Sequence, residues 1–406
     1  MTATVAAPQV WRGVLPDRPF VTLPSRRRPV VIAENQRQVR SYVRTALLTA
    51  PPGSRLPGWV FGAAQQVMRA PASWRLMPAL DRHAAVRSEF AEFVAALGVS
   101  VAVLNHSHDP DTRCVVLMFD HDQRWPVLAA KLPSGPAAAS RVRREADRLA
   151  AIARLSLGDL RRHVPAVVEV LDHDGLPVLV TTGQPGVPML VHYHRAGHTA
   201  DPRAVRADFA AAGRWLAAVR AATADGAAPM GLPDDTVQAL RDRHGLAKLD
   251  ALQSRMGRYG VPRTVVHGDF WPGNILLTAG RVSGVVDWEW SRAAGNPVRD
   301  LARFAVGYSS YLDRHTRPGR RVRGHPGLVA GEFGAGVAYA LDGSGWYPDL
   351  VRRFLTTGLR RFGVPAELGR DAALAEVAAI AAESADPDFA SRQIQLFNRL
   401  AEAKAA

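Results

Sequence analysis

Residues 265–277 read VVHGDFWPGNILL. Two valines run into a polar cluster of His267, Asp269 and Asn274. Trp271, Pro272 and Gly273 make the turn inside that cluster, and apolar sequence resumes at Ile275. Two apolar runs around a Pro-Gly turn read as strand, loop and strand. A plain polar hairpin turn satisfies that pattern. So does a loop in which a carboxylate meets a substrate hydroxyl and an amide meets a metal ion. The surrounding residues decide between them.

Thirteen residues past Asn274, the run GVVDWEW ends a second apolar stretch on Asp287. If NILLTAGRVSGVVDW closes as a hairpin, Asn274 and Asp287 lie side by side, two hard oxygen donors suited to Mg²⁺. Upstream, Lys131 ends the run VLAAK in a chain where all but three of the 51 basic side chains are arginine. A strand-end lysine suits a compact charge that reaches phosphate oxygens; the plainer reading is a side chain extending to solvent. The helical stretch ASRVRREADRLAAIARL tilts the choice. Its apolar stripe is Val142, Ala146, Leu149, Ile152 and Ala153, and Glu145 falls on the inward side of that stripe. A buried carboxylate requires a partner, and a helix laid over the sheet would set Glu145 against Lys131.

The order Lys131, Glu145, H-x-D-x-x-x-x-N (His267, Asp269, Asn274) and Asp-aromatic (Asp287, Trp288) resembles the protein-kinase-like superfamily. HGD in place of HRD, together with VVDWEW and GNPVRDLARF (295–304), is similar to its aminoglycoside phosphotransferase and choline kinase branch. The resemblance spans roughly residues 95–390, with 265–304 as its specific core. It implies an α+β, two-lobed kinase-like fold: a small antiparallel-sheet lobe with one helix, and a larger helical lobe. It also implies that the γ-phosphate of ATP or GTP, with Mg²⁺, moves to a hydroxyl of a small molecule such as a sugar, an antibiotic or an amino alcohol. Carried over, Asp269 would orient the hydroxyl and take its proton, and Asn274 and Asp287 would hold Mg²⁺. Lys131, positioned by Glu145, would hold the α- and β-phosphates. Backbone around Thr181, Thr182 and Gly183 would meet the base. His267 and Asp300 would support the catalytic loop. Two departures stand out: the turn NHSHDPDT (105–112) has no glycine to cover phosphates, and Asn296 occupies a place where the branch often has an acid. The glycine-free turn, together with an N-terminal extension that the minimal fold lacks, keeps open a rival, a catalytically silent nucleotide-binding module with a regulatory or scaffolding role; the complete set of catalytic residues argues against it.

The rest of the chain sets the frame. At 406 residues with 47% hydrophobic and 22% charged side chains, it is a globular protein with a sizeable core. No apolar run reaches the roughly 18–20 residues of a membrane span. The first residues lack a secretory pattern, and Cys114 is the only cysteine, so no intrachain disulfide forms. A cytoplasmic location is the expectation. Of the net charge of +14, residues 1–80 carry +9, from eleven arginines against Asp17 and Glu34. That imbalance is weak support for nucleic acid or another polyanion as a partner. Residues 35–49 place Val39, Tyr42, Val43, Ala46 and Leu47 on one helical face, which could lie on an anionic surface. Packing on the neighbouring lobe is the favoured reading.

The expected division is 1–90 as a basic extension, 91–184 as the sheet lobe and 185–406 as the helical lobe. VSVAVLN, RCVVLMFD, PVLAAKLP, PAVVEVLD and LPVLVTT make five strands, the last two joined at Asp174-Gly175. RPVVIAEN looks like a further short strand, and 317–327 reads as a loop. Two clusters remain. His192, His194 and His198 lack the cysteine or carboxylate company of a metal site and read as cleft or surface residues. Glu383, Asp386 and Asp388 could hold a polycationic acceptor, but a solvated helix end is the favoured reading.

Overall fold

A computed structural model describes residues 15–16, 18–23, 30–47, 66–68, 70–80, 88–104, 113–244 and 247–402. The glycine-free turn 105–112 and the loop 51–58 lie outside the described residues. The five expected strands are β3 (Ser100–Leu104), β4 (Arg113–Phe119), β5 (Leu128–Pro133), β6 (Val167–His173) and β7 (Leu176–Thr182). Two more precede them, β1 (Phe20–Leu23) and β2 (Val31–Glu34). All seven form one antiparallel sheet in the order β1-β2-β3-β4-β5-β7-β6. Two strands from the basic N-terminal segment, β1 and β2, therefore belong to the sheet, and the expected 90/91 boundary falls inside a helix, Glu89–Leu97. We propose that the first lobe begins at β1 and ends near the expected 184/185 boundary.

Both faces of the sheet are covered, as alternating apolar strands require. On one face Phe90 and Val94 of Glu89–Leu97 pack with Val101, Val116, Ala130 and Val180. That helix is capped by the Ser88 hydroxyl, which accepts from Ala91 N–H. The other face receives Arg37–Tyr42 and its π-helical continuation Val43–Leu47. Val39, Tyr42, Val43 and Ala46 are buried there with Ala102, Leu117 and Phe119. The stripe packs on the lobe, as favoured. The helix Pro136–Ala153 covers the same face further along, where Leu179 meets Val142, Leu149 and Ile152. Register sets Lys131 between Val115 and Leu179, so its side chain shares the Leu179 face.

The second lobe is mainly helical: Pro202–Thr223, Asp234–His244, Ala247–Met256, Val298–Ser309, Ala335–Asp342, Trp346–Arg361, Gly369–Glu383 and Pro387–Glu402. Val298–Ser309 and Gly369–Glu383 are buried almost all round, the mark of central helices. Small antiparallel pieces interrupt them. The hairpin of Ile275–Thr278 and Arg281–Val285 also pairs with Val187–Pro188. The strand Gly260–Val266, which feeds the HGD loop, pairs with Asp225–Pro229 and Arg292–Gly295. One expectation is corrected: part of 317–327 is not loop. Arg321–Val322 pairs with His325–Val329 across Gly324, whose φ of +79° suits the turn.

Candidate active site

The HGD loop is fixed from behind. Gly268 has φ +83°, and a Cβ there would come within 2.3 Å of the Trp290 carbonyl oxygen. Glycine is what this backbone allows, so a larger residue between His267 and Asp269 is excluded. Asp300, on the buried helix Val298–Ser309, accepts from His267 N–H at 2.7 Å and Gly268 N–H at 2.8 Å. Burial pushes the Asp300 carboxyl above its ordinary pKa, against the pull of His267 and the two N–H groups. His267 is fully buried. Its Nε2 donates to the Val286 carbonyl at 2.9 Å, and its Nδ1 accepts from Asp269 N–H at 3.2 Å. It ties the loop to the residue after the strand Arg281–Val285 and points no free nitrogen at a substrate.

Asp269 and Asn274 are in contact. Asn274 Nδ2 donates to Asp269 Oδ2 at 2.9 Å and to its main-chain carbonyl at 3.0 Å. Asn274 carbonyl oxygen accepts from Val286 N–H at 3.0 Å, and Ile275 pairs with Val285. The hairpin thus sets Asn274 beside the residue preceding Asp287. Asp287 itself has φ +72°, a left-handed conformation that is strained for a non-glycine and is held here by its neighbours. Trp288 N–H, one residue on, donates to Glu145 Oε1 at 3.0 Å.

Asp287 lies in a cluster of charge between the lobes. Lys131 Nζ donates to Glu145 Oε2 at 2.5 Å and Oε1 at 2.6 Å, and to Asp287 Oδ1 at 2.8 Å. Arg113, from β4, donates to Asp287 Oδ1 at 2.7 Å and spans both Glu289 oxygens at 2.5 and 3.1 Å. Burial alone would raise the Asp287 pKa, but Arg113 and Lys131 hold its carboxyl well below the usual range. Burial likewise opposes the Lys131 charge, yet Asp287 and Glu145 raise its pKa.

A second cluster stands behind Asp269. Arg303 donates to Asp269 Oδ1 through Nε at 2.9 Å and Nη2 at 2.7 Å, and through Nη1 to Glu376 at 2.9 Å. Glu383 closes it, ion-paired to Arg299 and 3.4 Å from Arg303 Nη2. Burial pushes the Glu376 carboxyl above its ordinary pKa, and Arg299 and Arg303 oppose that shift.

The sequence matches the phosphotransferase enzyme family over residues 67–328. The chain belongs to that family. The match begins before the roughly 95–390 expected from the motifs and ends earlier. No curated protein matches the chain. Among solved structures, the chain is similar to the apo form of a thermostable mutant of aminoglycoside phosphotransferase APH(4)-Ia. Identity is 14%, with 77% of this chain and 98% of that one covered and a TM-score of 0.44. It is also similar to the macrolide 2'-phosphotransferase MphH from Brachybacterium faecium: 19% identity, 73% and 96% covered, TM-score 0.37. Against ADP-bound aminoglycoside phosphotransferase APH(2'')-Ib the figures are 13%, 77%, 97% and 0.39.

The remaining motif residues sit apart from these clusters. Thr181 and Thr182 end β7 opposite Ala129 and Leu128. The Thr182 hydroxyl accepts from Ala166 N–H at 2.9 Å. Gly183 N–H donates to the Val127 carbonyl at 2.8 Å. A Cβ on Gly183 would lie 1.9 Å from the Pro126 oxygen, so the chain leaves the sheet by close backbone contact. Gln184, the next residue, is buried, and its Oε1 has no partner. The histidines disperse: His194 Nδ1 contacts His315 Nε2 at 2.9 Å, and His198 Nε2 contacts Asp208 at 2.7 Å. Among the described residues no group of three or more His, Cys, Asp or Glu side chains could hold a metal. Of the acidic trio, Asp386 caps the last helix through Asp388 and Phe389 N–H. Glu383 departs from the solvated-end reading, because Arg299 and Arg303 draw it inward.

Sequence reasoning missed Arg113, Glu289, Arg303 and Glu376. Two signals were available. Arg303 follows Asp300 by three residues, which places both on one helical face, within the otherwise apolar LARFAVGY. Glu289 lies two residues past Asp287, between tryptophans. Arg113 and Glu376 carry no such local sign.

Proposed function

We propose that this protein transfers the γ-phosphoryl group of ATP or GTP to a hydroxyl of a small molecule. The observation that carries the reading is the meeting of Lys131, Glu145 and Asp287 in one cluster, with the Asp269–Asn274 pair on the adjoining hairpin. Phosphoryl transfer passes through a loose transition state, so positioning and charge neutralisation supply most of the catalysis.

In this reading the Asp269 carboxylate is oriented at both oxygens, by Arg303 on Oδ1 and Asn274 on Oδ2. The acceptor hydroxyl donates to a remaining Asp269 lone pair, and its oxygen attacks the γ-phosphorus. The bond to the β–γ bridging oxygen breaks, the nucleoside diphosphate leaves, and the hydroxyl proton passes to Asp269. Lys131 and Arg113 face the phosphates with positive charge, and Glu145 keeps Lys131 in place. Gln184 offers an unpartnered acceptor near the residues assigned to the base.

The donor chemistry fits a magnesium ion. Asn274 spends its Nδ2 on Asp269, which leaves its amide oxygen available, and Asp287 uses only Oδ1 on Lys131 and Arg113. Two hard oxygens of this kind, completed by phosphate oxygens and water, are a usual magnesium set. Bound there, the ion would neutralise charge on the phosphates.

The test is ³¹P NMR of Mg-ATP and Mg-GTP incubated with the enzyme and a panel of sugars, aminoglycosides, macrolides and amino alcohols. A phosphomonoester appearing with one acceptor, together with the diphosphate, is the expected result. Tight nucleotide binding without transfer to any panel member, or slow hydrolysis, would favour the silent module.

A further inference from the structure

In the helical lobe, Pro202–Thr223 and Trp346–Arg361 border a cavity of ≈ 340 Å³ whose lining includes none of the residues of the two charge clusters. Its floor is apolar, formed by Phe209, Leu216, Leu301, Leu350 and Phe354. Phe209 and Phe354 meet edge to face at 5.1 Å. The helix sequence explains the concavity. Arg206, Ala210, Gly213, Ala217 and Arg220 repeat at i, i+4, i+7, i+11 and i+14, one face with small residues between two cations. The facing helix repeats the theme with Thr357 and Gly358 between Arg353 and Arg361.

Five arginines therefore rim this trough: Arg206, Arg214, Arg220, Arg353 and Arg361. None of its lining residues is acidic, and none of the five pairs with an acid among the described residues. Arg361 reaches only a main-chain carbonyl, that of Gly213. The Nε of Arg220 is buried without a partner, an arrangement that is costly unless something accepts from it. A surface this basic over an apolar floor has a charge complement missing.

The geometry points to a ligand site here for a small anionic amphiphile, a carboxylate or phosphate monoester with an apolar body. The body fills the Phe209–Phe354 floor and the anion meets the arginine rim. The volume falls within the range of small-molecule pockets, about 300–1,000 Å³. Arginine forks are suited to planar or tetrahedral oxyanions. Nucleic acid or a flat anionic membrane would use the charge but not the apolar floor, which favours a small ligand.

Isothermal titration of the full chain with dodecanoate, below its micellar concentration, tests this site. Dodecyl maltoside supplies the tail without the charge, and inorganic sulfate the charge without the tail. Dodecanoate should bind at one site and more weakly as salt rises, and each control should bind at least about tenfold more weakly, as loss of charge-assisted contacts implies. Arg214→Gln with Arg353→Gln, both exposed positions, should lower dodecanoate affinity by about tenfold or more. Ala210→Phe, at another exposed position, should block the floor with the melting temperature unchanged. Equal binding of the maltoside, many-site binding, or affinity unchanged in both variants overturns the site. Co-sedimentation with phosphatidylglycerol vesicles in the absence of dodecanoate binding overturns it too, in favour of a membrane contact.

Discussion

The two charge clusters that flank the catalytic loop are built in opposite ways. Lys131, Arg113, Glu145, Asp287 and Glu289 come from both lobes, and the Lys131–Asp287 and Arg113–Asp287 contacts join residues 156 and 174 apart in sequence. Asp269, Arg303, Glu376, Arg299 and Glu383 sit within the helical lobe, on or against two buried helices. The members of the first cluster are carried by elements of both lobes. The second cannot exchange partners without unpacking the helices that carry it. We propose that the first handles the nucleotide phosphates and that the second holds Asp269 still.

The largest effect that would break this contrast is loss of Arg303. Arg303→Met leaves buried Glu376 with only its longer contact to Arg299, at 3.8 Å, which should destabilise the fold by about 3 kcal/mol. Adding Glu376→Gln should restore much of the melting temperature but not turnover, since Asp269 still lacks its fork. Recovery of both would mean that Arg303 serves stability alone. A smaller effect is expected between the lobes. Lys131→Ala and Glu145→Ala should each weaken Mg-nucleotide affinity, and the double variant should depart from additivity by about 0.5–3 kcal/mol. Strictly additive losses would mean that Glu145 does not hold Lys131.

The smallest effect concerns the histidines that follow Gly183. Burial, with His315 and Arg314 nearby, lowers the His194 pKa to about 3. An unfolded histidine titrates near ~6.5, so the folded chain prefers the neutral ring. This contribution to stability is present above the unfolded value and is lost as pH falls through the folded one. The His194 ring signals in ¹⁵N NMR should therefore stay those of a neutral imidazole at pH 5. Titration near pH 6.5 would show that the His194–His315 contact does not form in solution.

The contrast also explains what the sequence could disclose. Lys131, Glu145, Asn274 and Asp287 were legible because each breaks a local pattern: a lone lysine in an apolar run, a carboxylate on an apolar stripe, polar residues at the two ends of a hairpin; the expected strand end at Lys131 is corrected, since β5 runs on to Pro133. Five strands were readable from apolar runs between turns, and RPVVIAEN foretold β2. β1 was not, because FVTL is short and is flanked by proline on both sides. Nor was the hairpin within 317–327, whose arginines and glycines carry no apolar alternation. Glu376 lies in a helix so rich in alanine and so fully buried that no stripe marks its inward face. Its partner is 73 residues away, and tertiary packing alone brings them together. Arg113 follows the turn 105–112, where the sequence gives no register.

The central claim is that Asp269 acts on the acceptor while the cluster around Asp287 binds the nucleotide. Asp269→Asn, measured by acceptor-dependent phosphoryl transfer and by Mg-nucleotide titration of the same preparation, tests it most directly. Transfer should fall by about 10²–10⁴-fold, the usual contribution of a positioned base, with nucleotide affinity unchanged. Near-normal transfer, or a loss of nucleotide binding as large as that of Lys131→Ala, would contradict the account.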